Sequence, residues 1–324
     1  MKSEYVAAVV ALLAVASSSG AGVYEYAGQW GEEGAGQGQF NFPAALAIAD
    51  SGDVYVADAG NYRVQYFNAV GRYRGQWETK EPTLSYPPGG IDVAPSGGYC
   101  RGAVYTSESG GVRVTHFTLV GRYVGGWGSL GSGNGEFDHT EGVEVAFGYV
   151  YVADAHNHRV QYFTPSGEYV GQWGTNGSGN GQFWFPTDVA AGPNRYVYVA
   201  DHTNHRVQYF TPTGSYLGKW GSEGSGDGQF NCPRAVAVDG RGRVFVADFL
   251  NDRVQYFTPT GSFLGKWGSK GTGDGEFDRP GGIGVNADRR VYVADTWNAR
   301  IQYFDEVPVS IRPSSLGKVK AIYK

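Results

Sequence analysis

The segment ADAHNHRVQYF at residues 153–163 contains two histidines on either side of an asparagine. Histidine nitrogens bind transition metals and exchange protons near neutral pH, so His156 and His158 could belong to a metal site or a nuclease-like centre. Related segments occur at five other places, where the position of His158 is held by Tyr62, Val112, His205, Asp252 and Ala299. We therefore interpret His158 as a variable position of a repeated turn.

A second group with chemical potential is acidic. Three carboxylates interrupt the small residues of consecutive predicted inner strands, and one more acid and a histidine lie close by: Asp92, Glu144 and Asp188, with Glu141 and His139. Carboxylate oxygens suit calcium and histidine would suit zinc, so this group is a candidate cation site. The alternative is that the charges are solvated and line a water-filled channel.

A third group lies at turns where other repeats carry small or polar residues. Its members are Trp184, Phe249, Leu250, Trp297, Arg234, Arg279, His156 and His202. Large aromatic side chains at turn tips are typical anchors of binding surfaces. These residues are therefore candidates for binding a protein segment or a glycan, and the alternative is packing between adjacent loops.

All three groups are positioned by six copies of one repeat. The strand-like core VYVAD, or a variant of it, begins at residues 54, 104, 150, 197, 244 and 291, with spacings of 50, 46, 47, 47 and 47 residues. Repeats of this length that are rich in β-branched and aromatic residues, with glycine at the turns, predict one four-stranded blade each. The predicted fold class is all-β, a six-bladed β-propeller of four-stranded blades.

The position of the tryptophans predicts how the ring closes. A tryptophan ends the fourth strand of five repeats, whereas the sixth, Trp30, stands near the start of the chain. The segment YEYAGQW at 24–30 has the pattern of a fourth strand without a blade of its own. We expect this N-terminal strand to complete the last blade, because closure leaves no open sheet edge.

Each core ends in an acid that is followed five residues later by an arginine. The pairs are Asp58/Arg63, Glu108/Arg113, Asp154/Arg159, Asp201/Arg206, Asp248/Arg253 and Asp295/Arg300. The acid can accept backbone N–H bonds from the following turn. Partly screened pairs of this kind contribute ~0.5–1 kcal/mol each when exposed, and more when buried. We interpret the repeated pair as structural.

The pattern VYVADxxNxRVQYFxPxG, preceded by GxGxFxxPxxVAV, resembles the NHL repeat, here of a secreted bacterial type, and the resemblance extends from residue 23 to about 305. It implies a six-bladed NHL propeller but leaves the function open, since propellers host many activities. Eukaryotic NHL domains often follow RING and B-box zinc modules in ubiquitin ligases. This sequence has no such Cys/His pattern, so ligase activity is not carried over. The second repeat departs most, with Glu108 and Gly111 in place of Asp and Asn.

Composition limits the partners and the location. The net charge is −5 and there is no basic block, which predicts that the protein does not bind nucleic acid. Residues 1–21 resemble a signal peptide, with an apolar run of 12 residues that is shorter than the ~20 a membrane-spanning helix needs. We expect a secreted or periplasmic monomer without a membrane span, with the propeller at 22–305 and a tail at 306–324. Cys100 and Cys232 are predicted to be free thiols.

Two functions remain open at this level. The first is a non-catalytic scaffold without a cofactor that recognises a protein segment or glycan on one propeller face. The alternative is a metal-dependent lactonase or lyase with a calcium or zinc ion at the central channel, since related six-bladed propellers include such enzymes. No set of nucleophile, base and orienting group stands at a defined spacing, and this favours the scaffold.

Overall fold

The computed structural model describes residues 22–79, 86–97, 102–109 and 111–307. The predicted signal peptide at 1–21, the end of the tail from 308 and Cys100 lie outside the described residues. The described part forms six antiparallel four-stranded sheets, and their innermost strands contact one another in a closed ring. The predicted six-bladed β-propeller is confirmed.

The strands are labelled in chain order. β1 is Val23–Trp30. Blade 1 contains β2 Pro43–Ile48, β3 Val54–Asp58, β4 Arg63–Phe67 and β5 Tyr73–Glu78. Blade 2 contains β6 Pro88–Val93, β7 Ala103–Glu108, β8 Val114–Thr118 and β9 Tyr123–Trp127. Blade 3 contains β10 Thr140–Ala146, β11 Tyr149–Asp154, β12 Arg159–Phe163 and β13 Tyr169–Trp173.

The second half of the ring repeats this order. Blade 4 contains β14 Pro186–Ala191, β15 Val197–Asp201, β16 Arg206–Phe210 and β17 Tyr216–Trp220. Blade 5 contains β18 Pro233–Val238, β19 Val244–Asp248, β20 Arg253–Phe257 and β21 Phe263–Trp267. Blade 6 contains β22 Pro280–Val285, β23 Val291–Asp295 and β24 Arg300–Val307, and β1 is its outer strand. In each blade the strands are called a to d from the axis outwards.

Adjacent blades pack through tryptophan and glycine. Trp77, near the end of strand d in blade 1, lies against Gly121 in the c–d turn of blade 2, where a Cβ would come within 2.5 Å of the indole ring. Gly121 also has a φ of 84°, a conformation that side chains disfavour. The same contact recurs at four further blade junctions, so the turn glycine is required for both backbone and packing.

The junction between blades 5 and 6 is built differently, because β1 replaces the local fourth strand. β1 pairs antiparallel with β24, and Tyr24 lies opposite Glu306. Arg243 of blade 5 donates hydrogen bonds to the Tyr24 hydroxyl at 2.9 Å, to Glu306 at 2.6 Å and to Asp239 at 2.7 Å. β24 extends to Val307.

The repeated acid and arginine form a buried clamp on the glycine-rich d–a loop. In blade 4 the Asp201 side chain is fully buried and accepts hydrogen bonds from Arg206 at 2.6 Å and from Asn204 at 3.0 Å. Arg206 also donates to the backbone carbonyls of Ser178, Gly179 and Gln182. The Asp–Arg pair is buried in the same way in blades 1, 3, 4, 5 and 6, so the structural role is supported and the pairs are of the buried kind.

Candidate functional site

The b–c turns and the d–a loops meet on one side of the ring, which we call the mouth face. Backbone hydrogen bonds join them in blade after blade, for example from Thr203 N–H to the Trp184 carbonyl and from Trp297 N–H to the Asp278 carbonyl. The residues of the third predicted group all belong to these turns and loops or to the adjoining starts of the inner strands. The repeat thus presents its variable positions on a single face.

The HNH segment is a turn, as predicted from the repeat. His158 adopts a left-handed conformation with a φ of 55°, and its Nδ1 accepts the backbone N–H of Phe185 in the next blade at 3.2 Å. His205 accepts the N–H of Cys232 in the same way, at 3.1 Å. Asp252 fills the equivalent place in blade 5 and accepts the N–H of Arg279 at 2.8 Å. The position is an acceptor that links neighbouring blades, a role that the sequence pattern did not reveal.

Five residues on the mouth face form a continuous row that we call the aromatic–arginine strip: Arg234, Phe249, Arg279, Trp297 and Phe42. The Phe249 ring lies 5.5 Å from the Arg234 guanidinium and 6.0 Å from that of Arg279. Arg279 in turn lies 4.0 Å from the Trp297 ring centroid, and Trp297 meets Phe42 edge-on at 5.9 Å. Cation–π contacts of this kind hold both partners in place.

Three members of the third group lie exposed at the surface rather than in the core. Trp297 is 51% exposed, Trp184 is 52% exposed and Leu250 is also exposed. Phe249 is the exception, since it is only partly exposed between the two arginines. Within the strip, Phe249 therefore packs between loops while Trp297 is exposed to solvent.

Phe42 was missed by sequence reasoning. It is 50% exposed and has a φ of 50°, immediately before the inner strand. Its equivalents in four other blades share the left-handed backbone and are His139, Phe185, Cys232 and Arg279. The signal was available, because an aromatic residue directly before the first residue of strand a (Pro43 in blade 1) stands at a position where other repeats vary. Cys232 is a free thiol, and burial raises its pKa.

A polar cluster lies where the mouth face opens into the axis. Glu141 accepts from the imidazole of His139 at 2.9 Å, in the tautomer with a proton on Nε2, and contacts Arg234 at 3.5 Å. Burial raises the pKa of Glu141, but Arg234 and His139 together hold it below its ordinary value. Glu141 is therefore ionised at neutral pH although it is buried.

Two further imidazoles flank this cluster. Burial and the nearby Arg234 lower the pKa of His202 to about 4, so its ring is neutral at pH 7. In that form Nδ1–H donates to the Pro233 carbonyl at 3.2 Å and Nε2 is an acceptor. His156 stacks on His139 with ring centroids 4.6 Å apart and contacts Asp138 at 3.1 Å. The structure thus brings His139, Glu141, Arg234 and His202 together and places His156 at their edge.

An axial cavity of about 210 Å³ lies below the polar cluster and is lined by the inner strands of all six blades. The three predicted channel acids occur in its wall on blades 2, 3 and 4. Each bridges to the next inner strand: Asp92 accepts the N–H of Val145 at 2.7 Å, Glu144 that of Ala191 at 2.9 Å and Asp188 that of Val236 at 2.8 Å. The acids therefore join consecutive blades around the axis.

Burial controls the protonation of these acids. It raises the pKa of Asp188 to about 7, with smaller contributions from the neighbouring Asp92 and Glu141. Burial also raises the pKa of Asp92 to about 7 and raises the pKa of Glu144, which the nearby charge of Asp92 raises further. All three carboxyl groups in the wall of the channel therefore keep a proton to a higher pH than ordinary acids do.

The five predicted metal ligands do not form one coordination group. Across the described residues, no three His, Cys, Asp or Glu side chains are arranged to hold a metal ion. Asp92, Glu144 and Asp188 use their oxygens to accept backbone N–H groups, whereas Glu141 faces His139 and Arg234.

Comparison with known proteins supports the repeat assignment. A family model described as NHL repeat matches residues 40–67, 183–210 and 277–304, which lie in blades 1, 4 and 6. The chain therefore contains NHL repeats within a six-bladed propeller. Among the described residues, no helix has the length and apolar character to cross a membrane.

Two curated proteins share short segments with the chain. The B-box type zinc finger protein ncl-1 of Caenorhabditis elegans is 42% identical over 48 residues, which is 15% of this chain. Protein brain tumor of Drosophila melanogaster is 36% identical over 62 residues, or 18% of this chain. The matches span only 6% of the length of either protein.

Solved structures share the fold over most of the chain. A streptogramin B lyase has a TM-score of 0.59 at 11% identity and covers 86% of this chain and 97% of its own. A protein of unknown function from Bacteroides thetaiotaomicron has a TM-score of 0.64 at 17% identity. The match covers 85% of this chain and 74% of that protein's chain. A catalytically inactive virginiamycin B lyase from Staphylococcus aureus, solved with quinupristin, has a TM-score of 0.56 at 14% identity, covering 83% and 85%. At these identities the likeness concerns the fold alone.

Proposed function

We propose that this protein, a six-bladed propeller with NHL repeats, is a binding scaffold that recognises a protein segment or a glycan on its mouth face. The observation that carries the proposal is the aromatic–arginine strip. Two of its rings, Trp297 and Phe42, are about half exposed. A cation–π contact with Arg279 holds Trp297 in position. Aromatic and arginine side chains that are ordered before binding are the usual anchors of an interface.

The distribution of variation supports the same conclusion. The buried clamp and the tryptophan–glycine contact recur around the ring and build the fold. By contrast, the b–c turns carry small residues in blade 1, His202 in blade 4, Phe249 and Leu250 in blade 5 and Trp297 in blade 6. The side chains of the mouth face thus differ from blade to blade, whereas the contacts beneath them are repeated. Such a surface is well suited to selecting a ligand.

The proposal is tested by screening the purified chain against a peptide library and a glycan array. For each ligand that binds, affinity is then measured for the double variant F42A/W297A and for W184A. Matched controls are V70A and V120A, which truncate exposed valines in c–d turns on the opposite face. We expect F42A/W297A to lose at least tenfold in affinity and the controls to stay within twofold. Equal binding by all variants would contradict the proposal.

The proposal extends to location, which we place outside the cytoplasm. The support is the signal-like segment at 1–21, with its apolar run and small residues before position 22. Expression of the full chain in a bacterial host with fractionation checks this. Recovery from the periplasm or the medium without residues 1–21 is the expected result, and an uncleaved cytoplasmic protein would contradict it.

A second candidate function is a lyase or lactonase, and one observation favours it. The neutral imidazole of His202 and the ionised Glu141 lie together above the axial cavity, where a base and a charge could act on a bound ester. Metal analysis and thermal melting with and without a chelator test the metal-dependent form. A bound ion that is lost in Glu144→Gln, with a lower melting temperature after chelation, would favour the enzyme over the scaffold.

A further inference from the structure

One arginine of the aromatic–arginine strip differs from the arginines of the buried clamps. In the clamps of blades 1, 3, 4, 5 and 6 the guanidinium makes at least four hydrogen bonds, as Arg206 does with Asp201 and three carbonyl oxygens. Within the described part of the chain, the Arg279 guanidinium forms no hydrogen bond or ion pair, and its contacts are with the rings of Trp297 and Phe249. Its N–H donors are therefore available to a ligand.

The backbone of Arg279 is fixed in place. The residue has a φ of 54°, and its backbone N–H donates to Asp252 at 2.8 Å. The Trp297 ring then covers the guanidinium at 4.0 Å. A guanidinium that is covered on its flat face keeps its in-plane N–H groups accessible, because all five donors lie in the plane of the group. The stacking thus orients a rigid two-pronged donor.

The chemistry of this donor selects its ligand. A planar guanidinium binds a carboxylate through two parallel hydrogen bonds. Phosphate-binding sites generally use clusters of arginines, whereas the neighbouring Arg234 is already engaged by Glu141. The single free guanidinium of Arg279 therefore matches a single carboxylate.

The surroundings of the Arg279 guanidinium favour a peptide over a sugar. One face of the Trp297 ring is covered by Arg279, which leaves the other face for a ligand. Trp297, and Phe42 edge-on against it, provide exposed apolar surface beside the guanidinium. A peptide in which a carboxylate is followed by an apolar side chain satisfies both features.

We propose that Arg279 anchors a carboxylate of a peptide ligand, either an Asp or Glu side chain or a C-terminal carboxylate, and that Trp297 and Phe42 hold the adjoining apolar side chain. This inference rests on the proposed function and makes it specific. Arg279 is the specificity-determining residue of the site. The two sources of the carboxylate share one chemistry and are separated by experiment.

The test uses two synthetic heptapeptide libraries and the immobilised full chain. One library has free C-terminal carboxylates and the other is amidated, so that only internal Asp and Glu supply carboxylates. Selected peptides are labelled, and their affinities are measured by fluorescence polarisation for the wild type, R279Q and R279K. The control is R122Q, which removes the charge of an exposed arginine in a c–d turn on the opposite face. Melting curves confirm that each variant is folded.

We expect selected peptides to carry a carboxylate beside an apolar residue and R279Q to bind them about tenfold or more weakly. R279K should recover only part of the loss, because lysine supplies a charge without the fork. R122Q should bind like the wild type, and added salt should weaken binding by the wild type more than by R279Q.

Four results would overturn the inference. Peptides without carboxylates, or peptides that bind R279Q as well as the wild type while W297A abolishes binding, would overturn it and leave the scaffold function intact. Binding of uronic acid oligosaccharides without any peptide would do the same. If no peptide or glycan is retained by the mouth face, both the inference and the proposed function fail.

Discussion

Tyr24 stacks on Trp267 with ring centroids 5.0 Å apart and ring planes inclined by 25°. Tyr24 belongs to the first strand of the chain, and Trp267 ends the fourth strand of blade 5. At five of the blade junctions the tryptophan packs on a turn glycine instead. The tyrosine therefore supplies the packing at the one junction where the fourth strand comes from the other end of the chain.

Replacing Tyr24 should destabilise the closure of the ring. Y24F removes the acceptor of the Arg243 hydrogen bond and should lower the free energy of unfolding by about 1–2 kcal/mol. Y24A also removes the buried ring and should cost about 3–5 kcal/mol. Urea unfolding followed by tryptophan fluorescence measures both. Y123F, at a tyrosine exposed on β9, is the control, and an effect of Y24A no larger than that of Y123F would refute the role of this contact.

Breaking one clamp should be costly although the fold repeats it. D201N leaves Arg206 buried with only carbonyl partners, and we expect a loss of about 3–5 kcal/mol in the free energy of unfolding. The matched control D227N breaks the exposed pair with Lys266 and should cost less than about 1 kcal/mol. Thermal melting of both variants compares the two. Similar melting temperatures would show that the clamp is dispensable.

The acceptor position that links blades predicts an ordered series of substitutions at His158. H158D and H158N keep an acceptor and tolerate a left-handed backbone, so each should change the free energy of unfolding by less than about 1 kcal/mol. H158V removes the acceptor for Phe185 N–H and places a β-branched residue at a φ of 55°, and it should cost about 2 kcal/mol or more. Chemical unfolding of the three variants checks that H158V loses the most stability. Equally large losses in all three variants would show instead that the imidazole itself is essential.

The raised pKa of Asp188 predicts a pH dependence of stability. The folded state holds a proton on Asp188 up to about pH 7, whereas an unfolded aspartate releases it near pH 4. The folded state therefore binds more protons between these limits, and the contribution of Asp188 to stability falls as the pH rises from about 4 to 7. D188N removes this dependence, so the stability difference between wild type and variant should shift steadily in favour of the variant over that range.

Asp50 provides a control of opposite sign. Hydrogen bonds from Ser96 lower its pKa, so its contribution is present above the unfolded pKa and is lost as the pH falls through the lower folded value. Melting temperatures of D50N and D188N relative to wild type, measured from pH 3 to pH 8, should diverge accordingly. A D188N profile parallel to wild type from pH 4 to pH 7 would contradict the assignment.

Local patterns in the sequence predicted the architecture because each repeat contains its own strands, turns and packing partners. The predicted strand core of blade 5 begins at residue 244, and β19 begins at the same residue. The acid at the end of VYVAD could be interpreted as a turn acceptor, since its partner Asn204 lies three residues away. These contacts depend on spacing along the chain.

Contacts between repeats were harder to predict. The role of Asp188 depends on the N–H of Val236, 48 positions away, and a carboxylate aimed at a neighbouring strand has the same sequence signature as one aimed at a cation. Burial of Phe249 likewise depends on Arg234 in strand β18 and on Arg279 in the d–a loop that leads to blade 6. Spacing along the chain predicts which residues share a face. It does not predict which of those residues form hydrogen bonds or ring contacts with one another.

The pairing of β1 with β24 sets a constraint on synthesis. Gln29 and Arg300 form a hydrogen bond across 271 positions of sequence, and a ribosome that adds ~5–20 residues per second separates their appearance by roughly 15 to 50 seconds. During that interval the first strand has no partner within its own blade. The ring is thus completed only after translation has passed residue 307, so closure of the last blade is the final step of folding for a chain that emerges from the ribosome.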